Sequence, residues 1–368
     1  MVKTIYFIFI SFSLTFSQNN FISASKCGEC HQEIFEEWQS SMHARATSLK
    51  DPLFNGMYQL AIKETEGKLK SKCVVCHSPM SAVFHTISME EEFNQEGITC
   101  QFCHSTTHIN GYQSAKNMEL ELDTVYSDNP DPENSAHPSV HREFFNNSEL
   151  CLPCHAIMKN PKDLEVCATG AEWKAYYETT RKNCQDCHMP IPNGNKSHLF
   201  AGTHQNDLLK NSVEMNLSHS DSSRQLTITL TNIGAGHAIP TGTPLRMVML
   251  KVFAYDSSGN ILWENWKVNP IKEDKNGLFM KIMADAEGNG PVPPWRATQT
   301  IFERRLMPGE ATVVNYQLPK GEIYDVEARL LYRFAPEMIL ERLGITDPHF
   351  LKSRIIVQKG MKIQSGKL

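Results

Sequence analysis

The chain has 368 residues, 21% of them charged and 40% hydrophobic, and its formal net charge is −5 at pH 7. This length accommodates more than one domain, and the weakly acidic balance argues against nucleic acid as a partner and slightly favours a basic protein partner. Beyond the N-terminus no second long apolar segment occurs, which argues against stable membrane insertion.

The N-terminal residues predict an export signal. Met1-Val2-Lys3 precedes an apolar run from Ile5 to Phe16, and this order is typical of a secretory signal peptide. The run is too short to predict a membrane-spanning helix. We therefore expect residues 1–17 to be a cleaved signal peptide and the mature protein to be periplasmic or secreted.

Between residues 27 and 188 the motif Cys-x-x-Cys-His occurs five times and uses ten of the eleven cysteines. Two thiols about one helical turn apart can form thioethers with the two vinyl groups of haem, and the adjacent imidazole reaches the iron. The motifs predict five covalently attached haem c groups, held by Cys27, Cys30 and His31; Cys73, Cys76 and His77; Cys100, Cys103 and His104; Cys151, Cys154 and His155; and Cys184, Cys187 and His188.

Zinc ribbons, iron–sulfur sites and thioredoxin-like dithiols also use Cys-x-x-Cys pairs. None of them requires a histidine at the next position, whereas all five pairs here have one. The sequence therefore favours haem over these alternatives. The remaining cysteine, Cys167, lacks both a paired cysteine and a following histidine and is interpreted as a small buried hydrophobic residue.

The region that carries the motifs is rich in charged and small polar residues and has long irregular connections. Such a segment cannot build an ordinary core of its length, so we expect the porphyrins to supply much of its buried surface. Short helices are expected beside the motifs, for example where Ile34, Phe35 and Trp38 recur at helical spacing. We predict a mainly helical and irregular haem domain over residues 18–210.

Three longer patterns surround the motifs. They are Trp-x-x-Ser-x-His from Trp38 to His43, Gly-x-x-Cys-x-x-Cys-His with a close histidine from Gly97 to His108, and Cys-x-x-Cys-His-Met-Pro followed by Ser-His-x-Phe-x-Gly-x-His from Cys184 to His204. Together they resemble the cytochrome c-552/c-554 type of multihaem cytochrome, over roughly residues 26–205. The resemblance implies closely stacked haems whose distal histidines come from remote parts of the chain.

Each motif histidine leaves one axial position of its iron to be filled, and ten further histidines are present. On the basis of the resemblance we predict His43 and His108 as axial ligands. One member of each of two further pairs is expected to be a ligand, and the sequence does not choose between His137 and His141 or between His198 and His204.

A further candidate ligand lies far from the motifs. His237 occurs in Gly-Ala-Gly-His-Ala-Ile-Pro-Thr-Gly, from Gly234 to Gly242, and such glycines and proline describe a fixed loop that permits close backbone approach. The sequence resembles a Gly-His-x-x-Pro-Thr-Gly element of C-terminal modules in some multihaem cytochromes. We expect the C-terminal region to dock on the haem domain and offer His237 to an iron; the alternative is a purely structural turn.

After about residue 210 the pattern changes to alternating and β-branched runs. These runs predict an antiparallel β-sandwich of immunoglobulin-like architecture over residues 211–358, and an α+β fold for the whole chain. Residues 276–294 are predicted to be a long loop and residues 359–368 a loose tail. Strands are expected at residues 226–230, 247–255, 261–263, 312–316 and 326–332, with a hairpin turn at 256–260.

Two functions fit these features. The first is a pentahaem electron carrier that has no catalytic residues and works between redox proteins, such as other cytochromes or a membrane quinol-linked donor, because the spare histidines exceed the open axial positions. The second is a multihaem oxidoreductase that acts on a small nitrogen or sulfur compound, of the nitrite or hydroxylamine type, at one five-coordinate haem. The β-sandwich could also serve chiefly as a docking or assembly module.

Overall fold

The computed structural model describes residues 20–192 and 194–363. The predicted signal peptide, residues 1–17, lies outside these ranges. Helices predominate in the first half of the described chain and strands in the second half, in agreement with the predicted α+β class. No helix in the described ranges combines the length and the apolar character needed to cross a bilayer.

The helices of the haem-motif region are short, and most have fewer residues than an isolated helix needs for stability in water. The longest is capped by Asp51, whose carboxylate accepts hydrogen bonds from the backbone N–H groups of Leu53 and Phe54 at 2.9 and 3.1 Å. In chain order the helices are α1 (Ala24–Gly28), α2 (Gln32–Ser40), α3 (Met42–Arg45), α4 (Pro52–Glu64), α5 (Lys70–His77), α6 (Met80–Val83), α7 (Glu92–Gln95), α8 (Cys100–His104), α9 (Leu152–His155), α10 (Thr169–Thr180), α11 (Cys184–His188), α12 (Asn206–Lys210), α13 (Pro270–Glu273), α14 (Glu337–Arg342) and α15 (Pro348–Leu351).

Small two-stranded pairings connect these helices. The strands are β1 (Thr106–Ile109), β2 (Met118–Leu120), β3 (Val125–Ser127), β4 (Ser139–His141), β5 (Met158–Lys159) and β6 (Glu165–Cys167). β1 pairs with β2 and β5 with β6 in antiparallel fashion, whereas β3 and β4 are parallel. Single-turn 3₁₀ helices occupy Ala115–Asn117, Pro132–Asn134, Glu143–Asn146 and Ser148–Leu150.

Two antiparallel sheets form the C-terminal half. Their strands are β7 (Val213–Ser220), β8 (Gln225–Asn232), β9 (Met247–Tyr255), β10 (Ile261–Glu264), β11 (Leu278–Ala284), β12 (Gln299–Arg304), β13 (Ala311–Gln317), β14 (Asp325–Arg333) and β15 (Arg354–Lys362). One sheet has the strand order β12-β11-β9-β14-β15, with β10 also paired to β9, and the other has the order β13-β8-β7.

The core of the sandwich lies between the two sheets. Alternate residues of β8 and β14, including Leu226, Ile228 and Leu330, are fully buried in it. This two-residue period is the signal from which the sequence predicted the strands, and each of the five predicted strands is present. The predicted turn at residues 256–260 joins β9 to β10.

Two predictions about this half were wrong. Residues 276–294 are not one long loop, because β11 runs through them and pairs with both β9 and β12. Every residue of β11 is buried, so its sequence does not alternate and resembles no half-buried strand. The loose tail predicted from residue 359 is wrong for residues 359–362, since β15 extends to Lys362 along β14.

Candidate haem sites

Four of the five motif histidines face a second histidine that comes from elsewhere in the chain. The two rings of each pair have their centroids 6.2 or 6.3 Å apart. The pairs, with the motif histidine first, are His31 with His137, His104 with His198, His155 with His43, and His188 with His237.

This spacing can be compared with the geometry of a metal held between two imidazoles. Metal–nitrogen bonds to imidazole are about 2.0 Å long, so two imidazoles on opposite sides of one iron place their ring centroids roughly 6 Å apart. All four measured separations match this value. Direct ring stacking would require a shorter distance, such as the 3.6 Å between Phe54 and His77. The four pairs therefore fit bis-histidine coordination of haem iron.

Backbone carbonyl groups orient the motif histidines. The Nδ1 atom of His77 hydrogen-bonds the Ala46 carbonyl at 2.7 Å, and that of His104 bonds the Tyr126 carbonyl at 2.8 Å. His188 makes the same kind of bond, to the carbonyl of Ala201 at 2.5 Å. A carbonyl accepts only from a protonated Nδ1, so these bonds fix the tautomer in which Nε2 carries a lone pair for a metal.

Two of the opposing histidines are held in the same way. His198 Nδ1 lies 2.9 Å from the Lys196 carbonyl, and His237 Nδ1 lies 3.0 Å from the Ala238 carbonyl. His43 differs, because its Nδ1 atom is buried and has no hydrogen-bond partner among the described residues. A buried ring nitrogen left unpaired costs about 1–3 kcal/mol. Coordination of a metal by the His43 imidazole would offset this cost of burying the ring.

Burial keeps these imidazoles neutral, which is the protonation state that binds a metal. Burial lowers the pKa of His43 to about 3, with smaller contributions from neighbouring histidines that include His155. Burial likewise lowers the pKa values of His104 and His155 to about 4. At neutral pH these rings therefore carry no proton that would compete with a metal.

Local packing explains the longer patterns around the motifs. Trp38 donates its indole N–H to the Ile98 carbonyl at 2.8 Å, and Ser41 caps α3, the short helix that carries His43. Gly97 has a positive φ of 77°, and a Cβ atom there would collide with the His43 carbonyl oxygen. The tryptophan, the serine and the glycine thus all fix the position of His43.

The geometry distinguishes between histidines that the sequence left open. His137 lies opposite His31, whereas the Nε2 atom of His141 is 3.5 Å from the Glu143 carboxylate. His198 lies opposite His104, and Glu37 accepts a hydrogen bond from its backbone N–H at 2.7 Å.

His204 turns away from the motif histidines. Its Nδ1 atom lies 2.8 Å from the Nε2 atom of His349, and its ring packs on Phe334. Burial, with the nearby His349, lowers the pKa of His204 to about 3. The packing of His349 against His204 could not be predicted, because nothing in the sequence connects two positions so far apart.

His108 is not brought to any motif histidine. It occupies the exposed position of β1, and its Nδ1 atom is 3.8 Å from a carboxylate oxygen of Glu119 on the paired strand β2. The β1–β2 hairpin turns this side chain outward. The expectation that His108 is an axial ligand, which rested on the resemblance of its surroundings to the c-552/c-554 pattern, is therefore not supported by the geometry.

The second motif has a different environment. Phe54 of α4 stacks face to face on His77, with an interplanar angle of 1°. Among the rings of the described residues, none from a second histidine is paired with His77, although all fifteen histidines lie in the described ranges. Nothing in the sequence of this motif distinguishes it from the other four, so this difference could not be predicted.

Contacts between cysteines show which motifs are neighbours. The thiol of Cys27 lies close to that of Cys100, the thiol of Cys76 close to that of Cys154, and the thiol of Cys151 close to that of Cys184. These sulfur atoms would become thioether sulfurs if haem is attached as the motifs predict. Cys103 also lies near Cys151 and Cys154. The motifs therefore form one contiguous series in the order first, third, fourth and fifth, with the second beside the fourth.

Comparison with known proteins agrees with this site. The family described as cytochrome c554 and c-prime matches residues 26–105. The crystal structure of a penta-heme cytochrome c552 from Thermochromatium tepidum is similar to this chain with a TM-score of 0.83 and 27% sequence identity, over 94% of this chain and 99% of that one. No curated protein matches the chain.

The fold and the site define a multihaem c-type cytochrome. Within that class, the chain is similar to cytochromes of the c-552/c-554 type, as the sequence resemblance predicted. The cofactor is haem c, and the general role of such proteins is electron transfer.

Alanine substitution of His198 and, separately, of His204 tests which of these two histidines lies opposite His104 of the third motif. His198→Ala is expected to convert one haem from low spin to high spin in the electron paramagnetic resonance spectrum of the oxidised protein, because the ring opposite His104 is lost. His204→Ala is the matched control and should keep the parent spectrum, since that ring faces His349. A new high-spin signal in the control alone would reverse the assignment.

Proposed function

We propose that this protein is a periplasmic pentahaem electron carrier in which at least four of the five irons have two histidine ligands. The observation that carries the proposal is the set of four imidazole pairs at 6.2–6.3 Å, distributed along one contiguous series of motifs. An iron with both axial positions filled by histidine has no position for a substrate and serves to transfer electrons. The proposed distal ligands are His137, His198, His43 and His237.

Haem c, when attached, supplies a one-electron couple between ferric and ferrous iron. The side chains of this chain contribute rigid positions for the ligands. His104, His188, His198 and His237 are each tied to a backbone carbonyl through Nδ1. A ligand held in this way moves little when the charge of the metal changes, which favours fast electron exchange.

The first motif is the proposed point of contact with a partner. His31, His137 and Cys30 are exposed in the polypeptide, whereas His104 of the third motif and His188 of the fifth are only partly exposed. Glu29 and Glu33 are also exposed beside this motif. An exposed redox centre with carboxylates around it fits a partner that presents a basic surface.

The haem content tests the basis of the proposal. Intact-mass measurement of the mature protein, expressed with a haem-attachment system, is expected to show five covalently bound haems. It should also show loss of residues 1–17, as export would require. A mass that corresponds to four haems or fewer, or retention of the N-terminal segment in the mature protein, would contradict the respective part of the proposal.

Charge reversal tests the contact surface. The double variant Glu29→Lys, Glu33→Lys is expected to slow reduction by a basic monohaem cytochrome c about tenfold at low salt and to have little effect at high salt, because screening removes the attraction. The double variant Glu310→Lys, Glu322→Lys, at exposed positions between strands of the β-sandwich, is the control with the same change in net charge. Equal slowing by both changes would indicate an effect of net charge and not of this surface.

A second candidate function rests on the second motif. Because no histidine ring is paired with His77 among the described residues, the iron there is the one candidate for five-coordination. An open axial position would allow a small nitrogen or sulfur compound to bind, as in a multihaem oxidoreductase. The chain would then combine one substrate-binding haem with four that conduct electrons.

Carbon monoxide binding distinguishes the two functions. Titration of the reduced protein is expected to saturate at one carbon monoxide per chain if the iron at His77 is open, and His77→Met should alter that spectrum alone. Absence of binding would leave the carrier as the function. Activity towards hydroxylamine or nitrite would be sought only if the site binds carbon monoxide, since a closed site cannot bind either compound.

A further inference from the structure

The ligand proposed for the fifth motif, His237, belongs to a loop of the β-sandwich. This loop, residues 234–242, leaves the sandwich after β8 and reaches the haem-motif region. It packs against α10, the helix that directly precedes the fifth motif on α11. The two histidines of this pair thus come from different halves of the molecule, and some contact between the halves must keep their rings 6.2 Å apart.

Glu172 of α10 provides the most direct contact. Its Oε2 atom accepts a hydrogen bond from the backbone N–H of Ala238 at 3.1 Å and another from the hydroxyl group of Thr241 at 2.6 Å. Its Oε1 atom accepts from the guanidinium group of Arg305 at 2.5 Å. The side chain of Glu172 is only 6% exposed, so both oxygens rely on these partners. A buried carboxylate is stable only when it is paired in this way.

Neighbouring residues on the same face of α10 hold the same loop. The hydroxyl groups of Thr169 and Thr241 are 2.9 Å apart. A Cβ atom on Gly236 would lie 2.5 Å from the ring of Tyr176, so only glycine allows this close approach. Thr169, Glu172 and Tyr176 are spaced three and four residues apart and therefore form one stripe on the helix.

The sandwich holds the loop from its other side. The side-chain amide of Asn232 donates to the His237 carbonyl at 2.9 Å and also to the Leu306 carbonyl. Ile239 and Leu306 exchange two backbone hydrogen bonds of 2.9 Å. The backbone of His237 is thus fixed by its own sandwich, and Glu172 fixes that assembly relative to the fifth motif.

We infer that Glu172 is a positioning residue that keeps His237 on the iron of the fifth haem, so that docking of the β-sandwich and sixfold coordination of that iron are linked. This inference rests on the proposed role of His237. Among the described residues, Glu172 makes no hydrogen bond to the ring of His188 or His237. It acts through the backbone of residue 238 and the hydroxyl of Thr241, and its loss would let the loop move away from α10.

The variant Glu172→Ala tests the inference. The reduced variant is expected to bind one more carbon monoxide per chain than the parent protein, and the oxidised variant to show one low-spin signal replaced by a high-spin signal. Thr241→Val, which removes one of the two hydrogen bonds to Oε2, should produce the same change in a fraction of the molecules. It also serves as the test if Glu172→Ala does not yield haem-loaded protein.

Glu64→Ala is the matched control. Glu64 on α4 is another poorly exposed carboxylate between the two halves, and it accepts from the Trp295 indole at 2.7 Å and from Arg296 at 2.8 Å, away from the His237 loop. This variant should bind carbon monoxide as the parent does. Equal gains in the Glu64 and Glu172 variants would indicate general loosening of the two halves and would overturn the positioning role.

His237→Ala separates this inference from the proposed function. If His237→Ala gains a carbon monoxide site and Glu172→Ala does not, the ligand assignment stands and the role of Glu172 is refuted. If His237→Ala leaves both the binding stoichiometry and the low-spin signals unchanged, the proposed ligand is wrong and the inference fails with it.

Discussion

Two imidazole rings can meet across one iron only when their centroids lie about 6 Å apart. Four histidine pairs, each formed by residues remote in the chain, have this separation. Each pair closes a long segment whose helices are too short to be stable alone. The tertiary structure of this half and the positions of its histidines therefore depend on each other. Haem attachment is expected to stabilise the fold, because haem binds the folded form alone.

The β-sandwich has a specific relation to that chemistry. It contributes His237 through a loop that its own strands brace at Asn232, and α10 receives the loop through Glu172. A second contact between the halves, at Glu64, lies elsewhere along the interface. An imidazole supplied by a separate sandwich can be positioned as firmly as one from a neighbouring helix when buried hydrogen bonds fix it on both sides.

The five sites are not equivalent, and their differences suggest a division of work. In the first motif an exposed histidine faces another exposed histidine, and in the third motif the histidine is only partly exposed. The second motif has Phe54 stacked on its histidine, with no paired imidazole among the described residues. The motifs form one contiguous series in which the second branches from the fourth. A linear series of haem motifs with one side branch is compatible with an electron carrier and also with an enzyme that passes electrons to a single open iron.

The sequence by itself determined the haem c cofactor, the class of cytochrome and the α+β architecture, and it predicts the motif residues that would bind haem. These features depend on neighbouring residues: thiol, thiol and imidazole within five positions, or alternation along a half-buried strand. The tertiary structure decided the rest. It placed His137 and not His141 opposite His31. It turned His204 towards His349 and His108 towards Glu119, and it paired His77 with no histidine of the described ranges. It also made the unpatterned β11 a central strand, since burial on both faces erases alternation. Which histidine lies opposite which motif depends on contacts between residues far apart in the chain. No local sequence pattern predicts such contacts.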